Sequence, residues 1–165
     1  MRWIIGFGAG LALGLAAGGA LAQEEGQMQV QFTGWTTSCT AANRAAAADC
    51  VLVQRANLAN GQQFIGLTIR VPGETRAPVM LLQLPLGLDL QQGLALSVDG
   101  TDTPEPPVQT CEANGCFAGG PLDPALLTAM QAGGNLQISF QNTRGGTISV
   151  PVPLTGFTAA YQSIQ

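Results

Sequence analysis

From Met28 to the end of the chain, apolar and polar residues alternate in short runs broken by Gly, Pro, Asn and Asp. An alternation with a period of two marks strands with one buried face. Met28 to Trp35 sets Val30 and Phe32 on one side and Gln29, Gln31 and Thr33 on the other. Thr36 to Cys39 reads as a turn, the Ala-rich run Ala41 to Asp49 as a helical turn, and Cys50 to Arg55 as a second strand. Ala56 to Gln62, with Asn60-Gly61, reads as the next turn. Phe64 to Val71 has the clearest period, with Ile65, Leu67, Ile69 and Val71 on the buried side. After a turn at Pro72-Gly73-Glu74, Val79 to Leu84 is apolar at nearly every position, which predicts a central strand covered on both faces.

Pro85-Leu86-Gly87-Leu88 and the turn Gln91-Gln92-Gly93 lead into Leu94 to Val98, with Leu94, Leu96 and Val98 inward. Asp99 to Pro107 reads as an acidic, Pro-rich loop. Val108 to Cys111 enters a tight Asn114-Gly115 reversal that ends at Cys116. One convincing helix follows, at about 123–132. Asp123 is its N-cap and Pro124 its first residue, Leu122 and Leu127 fit a hydrophobic staple, and Gly133 or Gly134 ends it. Leu126, Leu127 and Met130 share its apolar face, so it predicts a cap over one end of a β core. Leu136, Ile138 and Phe140 then alternate, Arg144-Gly145-Gly146 turns the chain, and Ile148, Val150 and Val152 return. Pro151 and Pro153 place that returning strand at an edge. Leu154 to Phe157 closes the core, and Thr158 to Ile164 predicts a short terminal helix. Seven or eight short strands predict an all-β, single-domain antiparallel β-sandwich, with an open barrel as the alternative.

The first 22 residues break the pattern. Arg2 precedes an apolar run from Ile4 to Gly19, and Ala20-Leu21-Ala22 supplies an A-x-A site before Gln23. This predicts a cleaved signal peptide over 1–22, a domain over 23–165, and no stable membrane span after cleavage. The Gly and Ala content of the run favours cleavage over a retained anchor, although Ile4 to Ala22 is near spanning length. The expected location is periplasmic or secreted.

Charge narrows the partners. The chain has no lysine, and the arginines outside the signal, Arg44, Arg55, Arg70, Arg76 and Arg144, are scattered against ten acidic residues. Nucleic acid requires a clustered basic surface, so it is excluded, and an anionic membrane surface is disfavoured for the same reason. Only 10% of the residues are charged, so the surface is carried by uncharged Gln, Asn, Thr, Ser and Gly.

Four cysteines in an exported chain predict two disulfides, with three possible connectivities. Cys39–Cys50 and Cys111–Cys116 are chosen because each pair is local and far from the other. A redox role for Cys111 and Cys116 is disfavoured: four residues separate them, and no basic residue stands nearby to lower a thiol pKa. The absence of histidine excludes a Ser-His-Asp triad, a Cys-His pair and a His-based zinc site. Asp99, Asp102 and Glu105 form the one acidic cluster, but they lack the ligand spacing of an EF-hand and read as a solvated turn. Trp35, beside the first bridge, is expected to pack against it rather than to hold a ligand. No catalytic residue, cofactor or metal is expected.

An ordered set of landmarks resembles the invasion-associated locus B family of exported bacterial proteins, found mainly in alphaproteobacteria. The set comprises Gly34-Trp35 before Cys39, then Cys50, Pro85-Leu86-Gly87-Leu88, Gly93-Leu94 and Val98-Asp99, followed by Cys111, Gly115-Cys116, Ala118, Leu126-Leu127 and Leu154-Thr155-Gly156-Phe157. The resemblance spans about 30–160. It implies an envelope or secreted location and a link to host-cell invasion, and it implies no enzyme mechanism. The expected function is contact with an envelope or host protein. The alternatives are a carrier of a small apolar ligand held between the sheets, and a hydrolase using Asp99 and Asp102.

Overall fold

The computed structural model of the protein describes residues 30–165; the signal expected over 1–22 lies outside them. Eleven strands form two antiparallel sheets that enclose one core. The larger sheet holds β1 (Val30–Phe32), β2 (Thr36–Thr40), β3 (Asp49–Leu58), β4 (Gln63–Val71), β5 (Val79–Leu84), β8 (Val108–Glu112) and β9 (Gly115–Pro121). Its order is β1-β3-β4-β5-β9-β8, with β2 also on β3. Thus β1 and β2 lie end to end along one edge of β3, against Ala56–Leu58 and Asp49–Val53 respectively. The smaller sheet runs β11 (Thr147–Pro153), β10 (Asn135–Gln141), β6 (Leu94–Val98) and β7 (Thr101–Thr103).

The alternating residues of both sheets meet in one apolar cluster. Leu52, Ile65, Leu67, Ile69 and Leu82 come from the larger sheet, and Leu96, Leu136 and Ile138 from the smaller. Two helices close it, α1 (Pro124–Ala132) through Leu126 and Met130, and α2 (Phe157–Gln162) through Phe157 and Tyr161. Asp123 caps α1 as its sequence predicts, accepting hydrogen bonds from the N–H groups of Ala125 and Leu126. Leu127, expected on the buried face, is half-buried. Gly133 ends the helix in an extended conformation, so left-handed freedom is not why glycine stands there; a Cβ would collide with Val98. At Gly156, which starts α2 with φ of 83°, the left-handed conformation is the reason for glycine, and it turns Phe157 into the core.

Four segments depart from the sequence expectations in their secondary structure. Thr36 to Cys39 is strand rather than turn, because Thr36–Thr40 pairs with Asp49–Val53. The Ala-rich run is a chain of bends. Its ends must return antiparallel from β2 into β3, and Asn43 closes a local turn by accepting from Ala45 N–H. The turn after β3 is shorter than expected, since that strand continues to Leu58. The acidic loop begins with a hairpin. Asp99 and Gly100 have φ of 47° and 84°, the two positive values of a type I′ turn, and Val98 pairs with Thr101 across them. The Asp-Gly pair after an alternating strand is the signal that marks it.

Candidate contact surface

β5 lies inside the larger sheet, yet only one of its faces is covered. Met80, Leu82 and Leu84 point into the core, while Val79 and Leu81 are 36% and 42% exposed. This corrects the expectation of a strand buried on both sides. No second layer of described residues covers the outer face of the sheet there, so an apolar run is left facing outward. Register places its neighbours: Val51 beside Arg70 and Arg70 beside Val79, then Val53 beside Thr68 and Thr68 beside Leu81. Val51 and Val53 of β3 thus share one face with Val79 and Leu81 of β5, with Arg70 and Thr68 of β4 between the two pairs. Leu81 lies over Gly119 of β9, where an added Cβ would sit 3.1 Å from its Cδ1.

A polar line borders the apolar stripe. The Arg55 Nε donates to Gln63 Oε1 at 3.0 Å, and Gln63 Nε2 donates to Gln83 Oε1 at 2.8 Å. Gln83 Nε2 in turn donates to the Asn114 carbonyl at 3.0 Å. One relay therefore crosses β3, β4, β5 and the β8–β9 turn. Gly66 makes room for it, since a Cβ there would come within 2.8 Å of Gln63 Nε2. In sequence these glutamines are indistinguishable from an uncharged coat; the pairing of strands distant in sequence aligns them. At the other end of the face, Asp49 accepts from Gly73 N–H and from Arg70. The Gly73 hydrogen bond first, and Arg70 second, hold its carboxyl below the ordinary value of 3.8.

The four cysteines form two disulfides, Cys39–Cys50 and Cys111–Cys116. Both join residues directly opposite each other, the first across β2 and β3 and the second across β8 and β9. Each bridge ties an outer strand to its inner neighbour. Trp35 has a partner that its sequence position does not suggest: its ring packs on Phe157 with centroids 5.1 Å apart. Asp99, of the acidic cluster, accepts from the N–H groups of Gly134 and Asn135 and so fastens the β6–β7 hairpin to the start of β10. Asp102 and Glu105 are exposed. Among the described residues no three of His, Cys, Asp and Glu gather as a metal site.

The space between the sheets is filled by side chains of the core cluster. A notch beside Leu94 and Phe140 measures about 170 Å³, and one between Pro106, Pro107 and Leu126 about 180 Å³. Both fall short of the roughly 300 Å³ at which small-molecule sites begin. A third hollow, of about 440 Å³ beside Asp49 and Arg70, is lined by polar and apolar groups in nearly equal measure. The carrier reading thus finds no apolar chamber among these. No helix among the described residues is long and apolar enough to cross a membrane.

Comparison with known proteins supplies the family. The model of the family described as Invasion associated locus B (IalB) protein matches residues 35–165. Invasion protein B homologs of two strains of Brucella abortus, 2308 and biovar 1 strain 9-941, are each 29% identical over 140 residues, covering 84% of this chain and 79% of theirs. A crystal structure of invasion associated protein B from Bartonella henselae superposes with a TM-score of 0.65 at 18% identity, covering 82% of this chain and 94% of that one. That likeness extends the fold to a sequence that has diverged widely. With the match running from Trp35 to the last residue, the chain belongs to the invasion associated locus B family.

Proposed function

We propose that the protein is exported and acts without catalysis, by binding an envelope or host protein through the outward face of its larger sheet. The observation that carries this is the exposed pair Val79 and Leu81, beside Arg70 and Thr68 with Val51 and Val53 beyond them, and bordered by the Arg55–Gln63–Gln83 relay. Monomeric surfaces scatter their apolar residues, and grouped ones with a polar rim mark contact sites. The relay fixes the side chains of that rim before a partner arrives, which lowers the ordering cost of binding. The two disulfides fit an oxidising compartment, and so does the signal peptide expected over 1–22. The names of the relatives link the family to invasion, which accords with contact at a host or envelope surface. Asp49, Asp99 and Asp123 each accept hydrogen bonds from backbone N–H groups, so these carboxylates serve the scaffold.

A photo-reactive residue placed at Leu81 in intact cells tests the reading. It should trap a discrete protein, while the same residue at Ser149, on the smaller sheet, should not. Labelling at neither site, or equal labelling at both, would refute it.

A further inference from the structure

The strand edges of the molecule are unequal. β11 carries Pro151 and Pro153, which lack N–H groups. β7 has three residues, including Asp102, and Pro104 follows it. β8 has an irregular register between Val108 and Thr110, ends at Glu112, and follows Pro106-Pro107. β1, on the same edge of β3 as β2, has three residues. Each of these four bears a feature that blocks strand addition. β2, Thr-Thr-Ser-Cys-Thr, bears none: it has no proline, no charge and no irregularity, and every residue in it is exposed. Among the described residues it pairs with β3 alone.

The register states which backbone groups β2 leaves open. Cys39 and Cys50 lie opposite each other with Cα atoms 4.0 Å apart, the close spacing of a pair that exchanges no ladder hydrogen bonds. The N–H and C=O of Cys39 therefore point away from β3, and so do those of Thr37, two residues along. We infer that β2 is a self-association edge, where a second copy of this chain adds antiparallel about a two-fold axis at Ser38.

That axis fits the open groups. It sets Thr37 opposite Cys39 of the second copy, so the N–H of each meets the C=O of the other, and symmetry repeats the exchange. All the outward groups of Thr37 and Cys39 are then satisfied. Ser38 meets its own equivalent, and Thr36 meets Thr40, pairs of small hydroxyl residues that suit neighbouring strands. The chain carries a net charge of −4, and this seam is where two copies meet with no charged residue in either strand. The two-fold uses both β2 edges at once, so the assembly closes as a dimer. A five-residue ladder is short, so the dimer is weak and concentration-dependent. This inference does not depend on the proposed contact face.

Sedimentation equilibrium of the exported protein over a concentration series is the test, with Thr37→Pro as the decisive variant. Its lost N–H points outward, so the β2–β3 ladder is left whole, while symmetry removes two of the bonds between copies. The expected result is a monomer–dimer equilibrium that weakens at least about tenfold in Thr37→Pro. Ser38→Lys and Ser38→Glu provide a second arm that leaves the backbone untouched. Each alone should be monomeric, and an equal mixture should dimerise. A wild-type protein that stays monomeric throughout, or a dimer unchanged by Thr37→Pro and by Ser38→Lys, overturns the inference.

Discussion

Asp49 holds a strand end, a turn and an arginine with one carboxylate. Gly73 N–H is the main reason its pKa is lowered, and Arg70 adds to it. A carboxyl whose folded pKa lies below its unfolded value stabilises the native state above the unfolded pKa, and that contribution is lost as pH falls through the folded one. An NMR titration of the Asp49 carboxyl carbon should give a midpoint below 3.8, and Asp49→Asn should reduce the dependence of stability on pH in that acid range. Gly115 offers a sharper test of fit. Its φ is 141°, and an added Cβ would lie 2.5 Å from the Leu84 carbonyl oxygen. Gly115→Ala should cost about 1–3 kcal/mol by denaturant unfolding. Little of this was legible in the residues themselves. Asn114-Gly115 announces a turn, but the strand against which Gly115 packs lies some thirty positions earlier in the chain, on the order of a connection that only the fold reveals.

Elements were legible where the local signal and the tertiary demand agree. Asp123-Pro124 and the period of Leu126 and Met130 predict α1, and the structure places its cap and its buried face accordingly. Asp123→Ala should therefore lower stability by about 0.5–2 kcal/mol. The strands β6 and β10 follow their alternation residue by residue, and β4 does so except at Gly66, which is buried beneath the Gln63 side chain. The fold departs from the local signal where pairing overrides propensity. Thr36–Thr40 has no apolar alternation to announce a strand, and is one because β3 and the Cys39–Cys50 bridge lie alongside it. Val79–Leu84 has the composition of a doubly covered strand, but the sandwich supplies a second layer on one side only. The bridges differ in loop length, with cysteines 11 and 5 residues apart. Chain-entropy arguments then predict that removing Cys39–Cys50 costs about 3 kcal/mol and removing Cys111–Cys116 about 2 kcal/mol. Thermal unfolding of the two double Cys→Ser variants checks that order.

At the scale of the molecule, two sheets of unequal size leave an outer face with no described layer over it and an edge with no device to block it. Neither was legible from the chain, since both depend on which strands are neighbours. The alternation predicted a sandwich, and the composition predicted an uncharged coat. What emerged only from the register is that Val79 and Leu81 share a face with Val51 and Val53 across Arg70 and Thr68, and that a glutamine relay edges it. The proposed function accordingly puts recognition on the larger sheet, while Asp49, Asp99, Asp123 and the four cysteines hold the scaffold together. The most direct measurement is capture of binding proteins from envelope and host-surface extracts by the wild-type protein and by Val79→Arg/Leu81→Arg, with circular dichroism to show that both are folded. The account predicts a discrete partner retained by the wild type and lost by the folded variant. Equal capture by the two, or capture of nothing above background by the wild type, would contradict it.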